Sequence, residues 1–369
     1  MLKENNNSSK KIVHIVGARP NFVKAFPLIK HLNDTSDISQ ILIHTGQHYD
    51  YEMSQSFFDT FNIQEPNYFL DIGSLDPIIQ IGKIIEKMYP ILAKEKPNLV
   101  VVYGDVNSTV GATVISKRMD IDVVHVEAGL RSFDMDMPEE INRLIVDKLS
   151  DLLLIHSESA KINLAKEGIN PQKIKFVGNI MIDSLVMMKK KINKSILQKY
   201  QLEEKNYCLL TMHRPSNVDH VTSRKLNLNF INQLSKKIKI ICPVHHRMKD
   251  MISKLDNKNF IGIDPLNYID FLSLQNYAKF VITDSGGVQE ETSFLNVPCF
   301  TLRENTERPV TIDLGTNELI GPNYNEFEEK LSLSLNRFDA NKSPKIPFWD
   351  GNTSERIRKE LLLYLDIKK

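Results

Sequence analysis

Apolar, β-branched runs alternate with amphipathic stretches along the first half of the chain. Ile12–Val16, Ile41–His44, Leu99–Tyr103, Val123–Val126 and Leu152–His156 each read as a short strand followed by a helix-like segment. That alternation predicts βαβ units and a parallel sheet, because a crossover helix is what returns the chain to begin a parallel neighbour. Lys173–Val177 closes this half, the boundary falls just before a helical stretch around Met181–Met188, and the lysine-rich passage Lys189–Lys194 then breaks the apolar pattern. The rhythm resumes with Tyr207–Met212, Ile238–Pro243, Phe260–Ile263, Phe280–Thr283 and Pro298–Leu302, which predicts a second sheet of similar size. Beyond a connector through Pro344 and Pro347, residues Ile357, Leu361, Leu362 and Leu365 recur at helical spacing. The pattern therefore divides the chain into a disordered leader (1–11), an N-terminal α/β domain (12–179), a C-terminal α/β domain (180–350) and a terminal helix (351–369) able to pack back on the first domain. Two lobes imply a cleft.

Length agrees with this division, since 369 residues exceed one ordinary core. Charge narrows the partners. Lys plus Arg (47) nearly cancels Asp plus Glu (46), so no global field draws the chain to nucleic acid or an anionic membrane, and any bound anion must be held locally. Cys208, Cys242 and Cys299 lie in the strand-like runs, as suits reduced thiols packed as small hydrophobes. Met1–Lys11 has no apolar core of a secretion signal, and no later run approaches membrane-spanning length. A soluble, cytoplasmic protein is expected.

Candidate chemistry clusters at strand ends. Asp284-Ser285-Gly286-Gly287 joins Phe280–Thr283 to the helical stretch Val288–Leu295. A serine cap and two glycines there let backbone N–H groups approach a pyrophosphate at the positive end of the helix dipole. Glu290 and Glu291, inside that helix, can accept from ribose hydroxyls. Arg19 and Lys24 frame the first helix after Gly17-Ala18, while Arg303, Thr306-Glu307 and Arg308 follow Pro298–Leu302. Each also reads as a plain turn or as solvated surface charge. Neither G-x-G-x-x-G nor G-x-x-x-x-G-K-[ST] occurs, so no dinucleotide cofactor and no P-loop are expected.

Asp105 ends the strand before it, Glu127 ends the next, and Glu139 opens the helix that starts at Pro138. Carboxylates brought together resist ionising at once, so one can serve as acid and another as base. Their simpler readings are a helix cap for Asp105, a pair with Arg131 for Glu127 and a helix-dipole preference for Glu139. His213 and Arg214 follow Tyr207–Met212, where a histidine can bind phosphate or shuttle a proton. The neighbours His245 and His246 point apart, and no Cys/His/Asp set has zinc spacing, so no metal is expected.

The motifs Gly17-Ala18-Arg19-Pro20-Asn21-Phe22-Val23-Lys24, Thr45-Gly46-Gln47-His48, Tyr103-Gly104-Asp105, His125-Val126-Glu127-Ala128-Gly129-Leu130-Arg131, Pro138-Glu139-Glu140-Ile141-Asn142-Arg143, His213-Arg214, Asp284-Ser285-Gly286-Gly287-Val288-Gln289-Glu290-Glu291 and Thr306-Glu307-Arg308-Pro309 run in order across nearly the whole chain. As a series they resemble the non-hydrolysing UDP-N-acetylglucosamine 2-epimerases. The resemblance implies a GT-B-like α/β fold, two Rossmann-like domains with parallel sheets and an interdomain cleft, and usually a homodimer. It implies interconversion of UDP-GlcNAc and UDP-ManNAc through UDP elimination to a 2-acetamidoglucal and re-addition. Carried over by position, Asp105, Glu127, Glu139 and His213 match the acid/base set. Arg19, Lys24, Phe271, Ser285, Gly286, Gly287, Glu291 and Arg308 match the UDP-binding positions, and Arg143 supports the substrate pocket. The chain departs from many relatives at Ala18, at Asn21 and in Pro215-Ser216-Asn217. Those positions border the sugar and a second, activating UDP-sugar site of bacterial members, which Gln47, Arg214 and His245 could serve. The alternatives are 2-epimerisation of UDP-2,3-diacetamido-2,3-dideoxyglucuronate and glycosyl transfer on the same fold.

Overall fold

A computed structural model describes residues 9–47, 65–253, 255, 257–321, 323–339 and 341–367. The leader residues 1–8 and His48 of the Thr45-Gly46-Gln47-His48 motif lie outside the described residues. The chain divides into two compact units, Met1–Ser184 with Pro347–Lys369, and Leu185–Ile346.

In the first unit, β1 (Lys10–Val16), β2 (Ile38–His44), β3 (Tyr68–Phe69), β4 (Leu99–Tyr103), β5 (Asp122–Val126), β6 (Leu152–Ile155) and β7 (Ile174–Phe176) form a seven-stranded sheet in the order β3-β2-β1-β4-β5-β6-β7. Every pair is parallel. The longer helices here are α1 (Arg19–Asn33), α2 (Pro77–Glu95), α3 (Asn107–Arg118), α4 (Pro138–Leu149) and α5 (Glu158–Lys166), and α6 (Ile180–Lys189) runs across the division between the units. A sheet covered on both faces needs apolar side chains pointing both ways, and all of Leu99–Tyr103 is buried. Val13, Val100, Val102 and Val123 pack with Ile84, Met88 and Leu92 of α2 in one core.

β1 starts two residues before the apolar run beginning at Ile12. Lys10 and Lys11, placed in the leader by composition, pair in register with Ile38 and Ser39, while the Lys11 amide donates to Asn98 and its ammonium to Glu95. Ladder bonds and a salt bridge thus extend a strand that hydrophobicity alone would end.

The last helix, α11 (Thr353–Ile367), is part of the first unit and lies against α1. Buried Asp183 caps it from a distance, accepting from the amides of Thr353 (3.0 Å) and Ser354 (2.6 Å) and from the Ser354 hydroxyl.

The second unit holds β8 (Tyr207–Thr211), β9 (Lys239–Pro243), β10 (Phe260–Ile263), β11 (Phe280–Thr283), β12 (Cys299–Leu302) and β13 (Asn317–Ile320), ordered β10-β9-β8-β11-β12-β13 and again all parallel. Its longer helices are α7 (Val221–Ser235), α8 (Tyr268–Tyr277), α9 (Gly286–Leu295) and α10 (Tyr324–Arg337). Phe230, Phe280, Phe300 and Phe327 interlock edge to face in its core. The three cysteines are buried free thiols. Among the described residues, no helix is long and apolar enough to cross a membrane.

Both sheets reverse strand order at one place, between β1 and β4 and between β8 and β11. Loops leaving the carboxyl ends of strands at such a point diverge, and the opening between them is where doubly wound sheets bind ligands. The loops in question begin at Gly17, Gly104, Met212 and Asp284.

Candidate functional site

In the first unit, Asp105 and Glu127 leave the adjacent strands β4 and β5. The ladder continues past the strand ends, with Gly104 N donating to Val126 O and Glu127 N to Leu154 O, both at 3.0 Å. Gly104 and Glu127 both take left-handed backbone, at φ +64 and +73. A glycine adopts this freely, whereas a glutamate does so at a cost that its surroundings must over-determine. The determinant at Glu127 is an ion pair, since its Oε2 is bonded to the Lys24 ammonium and both side chains are about nine-tenths buried or more. Gly104 is needed there as well, because a Cβ would stand 2.9 Å from Lys24 Nζ and 3.2 Å from Glu127 Oε2.

Asp105 pairs with Arg143 Nη1 at 2.5 Å, and its carbonyl accepts from Asn142 at 2.8 Å. It does not cap α3, whose N-cap is Val106 and has no side-chain cap bond. Arg131 is engaged by Asp147 and Glu167, so it is not the partner of Glu127. Glu139 is exposed in the first turn of α4, one turn before Arg143 on the same face. Its neighbour Glu140, which has no role in the sequence reading, is the buried member of the pair. It accepts from the amides of Ser132 (2.9 Å) and Phe133 (3.0 Å) and from Arg143 Nε (3.0 Å). Burial works against its charge, but Ser132 and Arg143 outweigh that and hold its carboxyl below the usual range. Arg143 is thus stretched between Glu140 and Asp105. Spacing did not single out Glu140, since Glu139 stands at i, i+4 and Glu140 at i, i+3 from Arg143.

Behind these groups, His125 spans from Asp147 Oδ1 (2.7 Å, through Nδ1) to the Gly104 carbonyl (2.8 Å, through Nε2). The ring thereby ties α4, which carries Asp147, to the turn that leads into Asp105. Asn21 ties the β1–α1 turn to β4. Its Oδ1 accepts from Gly17 N (3.1 Å) and Ala18 N (3.0 Å), and its Nδ2 donates to Tyr103 O (2.7 Å). Gln47 is buried and accepts from Ser108 N (3.0 Å) and Oγ (2.7 Å) at the start of α3. Arg19 opens α1, and its side chain lies outside the described residues.

In the second unit, Ser285 occupies the N-cap position of α9, yet its hydroxyl makes no cap bond, contrary to the expected serine cap. The Ser285 amide donates instead to Thr283 Oγ1 (3.0 Å), which draws the residue back toward β11. Arg308 lies directly against Gly286. A Cβ there would fall 2.3 Å from Arg308 Nη1, so glycine is required by the close approach of the guanidinium. Arg308 is clamped by Glu290 Oε1 (2.8 Å) and Glu307 Oε1 (2.5 Å). Glu307 is itself buried among three arginines, with Arg303 at 2.7 Å and Arg214 at 3.5 Å besides Arg308. Burial opposes its charge, but the arginines hold the carboxyl well below the usual range. Thr306 Oγ1 donates to Gln289 Oε1 (2.7 Å) and pins this loop to α9.

Glu291 is buried, accepting from Tyr268 Oη (3.0 Å) and Gln275 Nε2 (2.6 Å), and burial pushes its carboxyl up to about 7. Phe271 packs from α8 against the core cluster that includes Val288. His213 is exposed at the end of β8, with Nδ1 2.8 Å from Asp284 Oδ1. The His245 ring lies 6.0 Å from that of His213, and burial pushes it down to about 4. The structure thus groups Lys24, Asp105, Glu127 and Arg143 in one unit, and His213, Arg214, Ser285, Gly286 and Arg308 in the other.

Residues 30–362 match the family described as UDP-N-acetylglucosamine 2-epimerase. A Methanococcus maripaludis UDP-N-acetylglucosamine 2-epimerase homolog is 44% identical over 94% of this chain and 98% of its own. A Pseudomonas aeruginosa UDP-2,3-diacetamido-2,3-dideoxy-D-glucuronate 2-epimerase is 35% identical over 89% of this chain and 93% of its own. Among solved structures, the Methanocaldococcus jannaschii UDP-GlcNAc 2-epimerase in complex with UDP-GlcNAc and UDP superimposes with a TM-score of 0.88 at 39% identity, covering 96% of this chain and 99% of that one.

Proposed function

The chain belongs to the UDP-N-acetylglucosamine 2-epimerase family, and from that premise we propose that it is an isomerase interconverting UDP-GlcNAc and UDP-ManNAc by eliminating and re-adding UDP. The C2 proton of such a sugar is not next to a carbonyl, so removing it directly would leave an unstabilised carbanion. Breaking the C1–O bond first expels UDP and gives C1 oxocarbenium character. Loss of the C2 proton to a carboxylate then yields the 2-acetamidoglucal. Protonation of C2 from the opposite face and return of the UDP oxygen to C1 give the epimer, with atoms and charge in balance.

One observation carries this reading: Asp105 and Glu127 stand at the carboxyl ends of adjacent strands, each locked to a buried cation, Arg143 and Lys24 respectively. Proton transfer on two faces of one carbon needs two positioned acid–base groups, and they are best held by partners that cannot wander. Glu139 and His213 complete the acid–base set, without an assigned order. Lys24, held by Glu127 in the first unit, supplies positive charge to the nucleotide site. The departing diphosphate is stabilised by the Ser285-Gly286-Gly287 amides at the N-terminus of α9 and by Arg308, where charge develops. Arg19 and Phe271 contribute to the nucleotide site, and Glu291 takes the ribose hydroxyls. The family match sets glycosyl transfer aside, and the uronate substrate belongs to the less similar of the two relatives described above.

The test is incubation of purified protein with UDP-GlcNAc in D2O, followed by NMR of the C2 position. Deuterium at C2 together with UDP-ManNAc is expected. Neither exchange nor epimer, while the diacetamido uronate is epimerised, would transfer the assignment to that sugar. Loss of both activities would end it. A second expectation concerns the nucleotide site. Gly286→Ala drives a methyl into the clamped Arg308 guanidinium, so UDP affinity measured by calorimetry should fall at least about tenfold, equivalent to about 1.4 kcal/mol.

A further inference from the structure

We infer that Asp284 is a positioning residue for His213, fixing which ring nitrogen carries a hydrogen and leaving Nε2 as the atom that exchanges a proton. This rests on the reading of His213 as one of the acid–base groups.

Asp284 ends β11, whose neighbour β8 runs in register with it up to Thr283 and Thr211. The two threonine hydroxyls bond at 2.7 Å and lock the strand ends together. Immediately beyond, the Asp284 carboxylate is completely buried and is surrounded by donors. It accepts from the amides of His213 (3.0 Å) and Arg214 (2.9 Å) and from Asn217 Nδ2 (3.1 Å). Its Oδ1 lies 2.8 Å from His213 Nδ1. Amide and carboxamide N–H groups can only donate, so this carboxylate acts as an acceptor throughout, and the remaining contact requires the hydrogen on Nδ1. The ring is therefore held as the Nδ1–H tautomer, with Nε2 at the exposed end of a side chain 46% accessible. Burial alone would discourage a charged carboxyl here, but His213, the Arg214 amide and Asn217 outweigh it and hold Asp284 at about 2.

The cations near the ring, Arg214 and Arg247, oppose a positive charge on it. Arg214 follows directly, its Nε bonded to the Asp284 carbonyl and its Nη2 toward Glu307. His245 faces the ring from the end of β9, with the ring of His246 tilted against it at 4.1 Å between centroids and Arg247 following. Asp284 is the anion in contact with the imidazole, and its contact with Nδ1 favours the imidazolium that a proton-transferring histidine must visit. An orienting carboxylate on the far nitrogen is a general device for making a histidine an effective acid or base.

A purely structural Asp284 would pin the His213–Asn217 loop without setting a tautomer or a pH limb, and this separates the two readings. Histidine labelled with 15N identifies His213 as the signal missing from His213→Gln. The wild-type signal should be that of the Nδ1–H form. Asp284→Asn, shown by circular dichroism and UDP binding to be folded, should lose at least about 100-fold in kcat. Its pH profile should move the histidine limb toward acid by about one unit, because removing an anion makes the imidazolium harder to form whichever protonation state is the working one. In the His213→Gln background, the same change should lower kcat by no more than about twofold, since the pair acts as one unit. A wild-type Nε2–H tautomer, an unmoved pH limb in a folded Asp284→Asn, or fully additive losses would each overturn the inference. The tautomer is read on the unaltered protein, so the idea stays testable even if Asp284→Asn does not fold. An inactive enzyme with the Nδ1–H form would sink the proposed function alone, and an active enzyme with the wrong tautomer would sink only this assignment.

Discussion

Glu127→Gln should lower the epimerisation rate by about a hundred- to ten-thousand-fold, the range spanned by positioned proton transfer, while UDP affinity stays within about twofold. The amide keeps the shape of the side chain and can still accept from Lys24, but it cannot take or return a proton. Asp105→Asn should give a loss of the same order and is the cleaner variant structurally, because the Asp105 side chain is a quarter exposed whereas the Lys24–Glu127 pair is sealed. Breaking a buried pair leaves the surviving ion without its compensation, so Glu127→Gln should also unfold at lower denaturant concentration than Asp105→Asn. Initial rates by NMR and UDP titration by calorimetry separate the two effects. An Asp105→Asn or Glu127→Gln protein turning over at wild-type speed would withdraw the acid–base role from that residue.

Gly178→Ala should cost at least about 3 kcal/mol of stability, seen as an apparent Tm lower by about 5–10 °C. Gly178 follows β7 with φ at +96, a conformation that L side chains rarely adopt. A methyl there would sit 2.2 Å from the carbonyl oxygen of Phe348 and 2.8 Å from its Cβ, and the backbone oxygen cannot simply rotate away. Phe348 is itself pinned, its ring edge-on to Phe176 at 4.9 Å and under the Arg356 guanidinium at 4.6 Å. The clash therefore falls on the return of the chain into the first unit, just before α11. Gly168→Ala is the matched control. Its φ is +71 but nothing lies within 4 Å, so it should lose only the left-handed backbone cost, about 1–2 kcal/mol. Equal losses at the two positions would show that backbone strain, and not the Phe348 contact, sets the requirement at Gly178.

The strands that matter most were legible because their signal is local. Leu99–Tyr103 and Phe280–Thr283 are buried on both faces, so their runs are continuously apolar and end where the structure ends them. The two-residue strand β3 and the strand β13, Asn317-Glu318-Leu319-Ile320, carried no such run. Both lie at sheet edges, where one neighbour and partial burial suffice and composition is less constrained. In the site, Pro138-Glu139-Glu140 offered two carboxylates and no local reason to choose between them. Which one turns inward depends on the Ser132 and Phe133 amides of a preceding loop and on Arg143. The missing hydroxyl cap at Ser285 has a similar cause, a threonine side chain at the end of β11 that competes for the residue's backbone.

What the linear chain determined by itself was the class of fold, two parallel α/β sheets, and the family, because hydrophobic period and residue identity are properties of neighbours along the backbone. Only tertiary structure decided the partnerships: Lys24 with Glu127 across 103 positions, Arg143 with Asp105 across 38, and Asp284 with the His213–Arg214 turn across about 70. Ion pairs and hydrogen bonds act over a few ångströms of space, and no spacing in a sequence records which strand ends a folded sheet will bring within that reach.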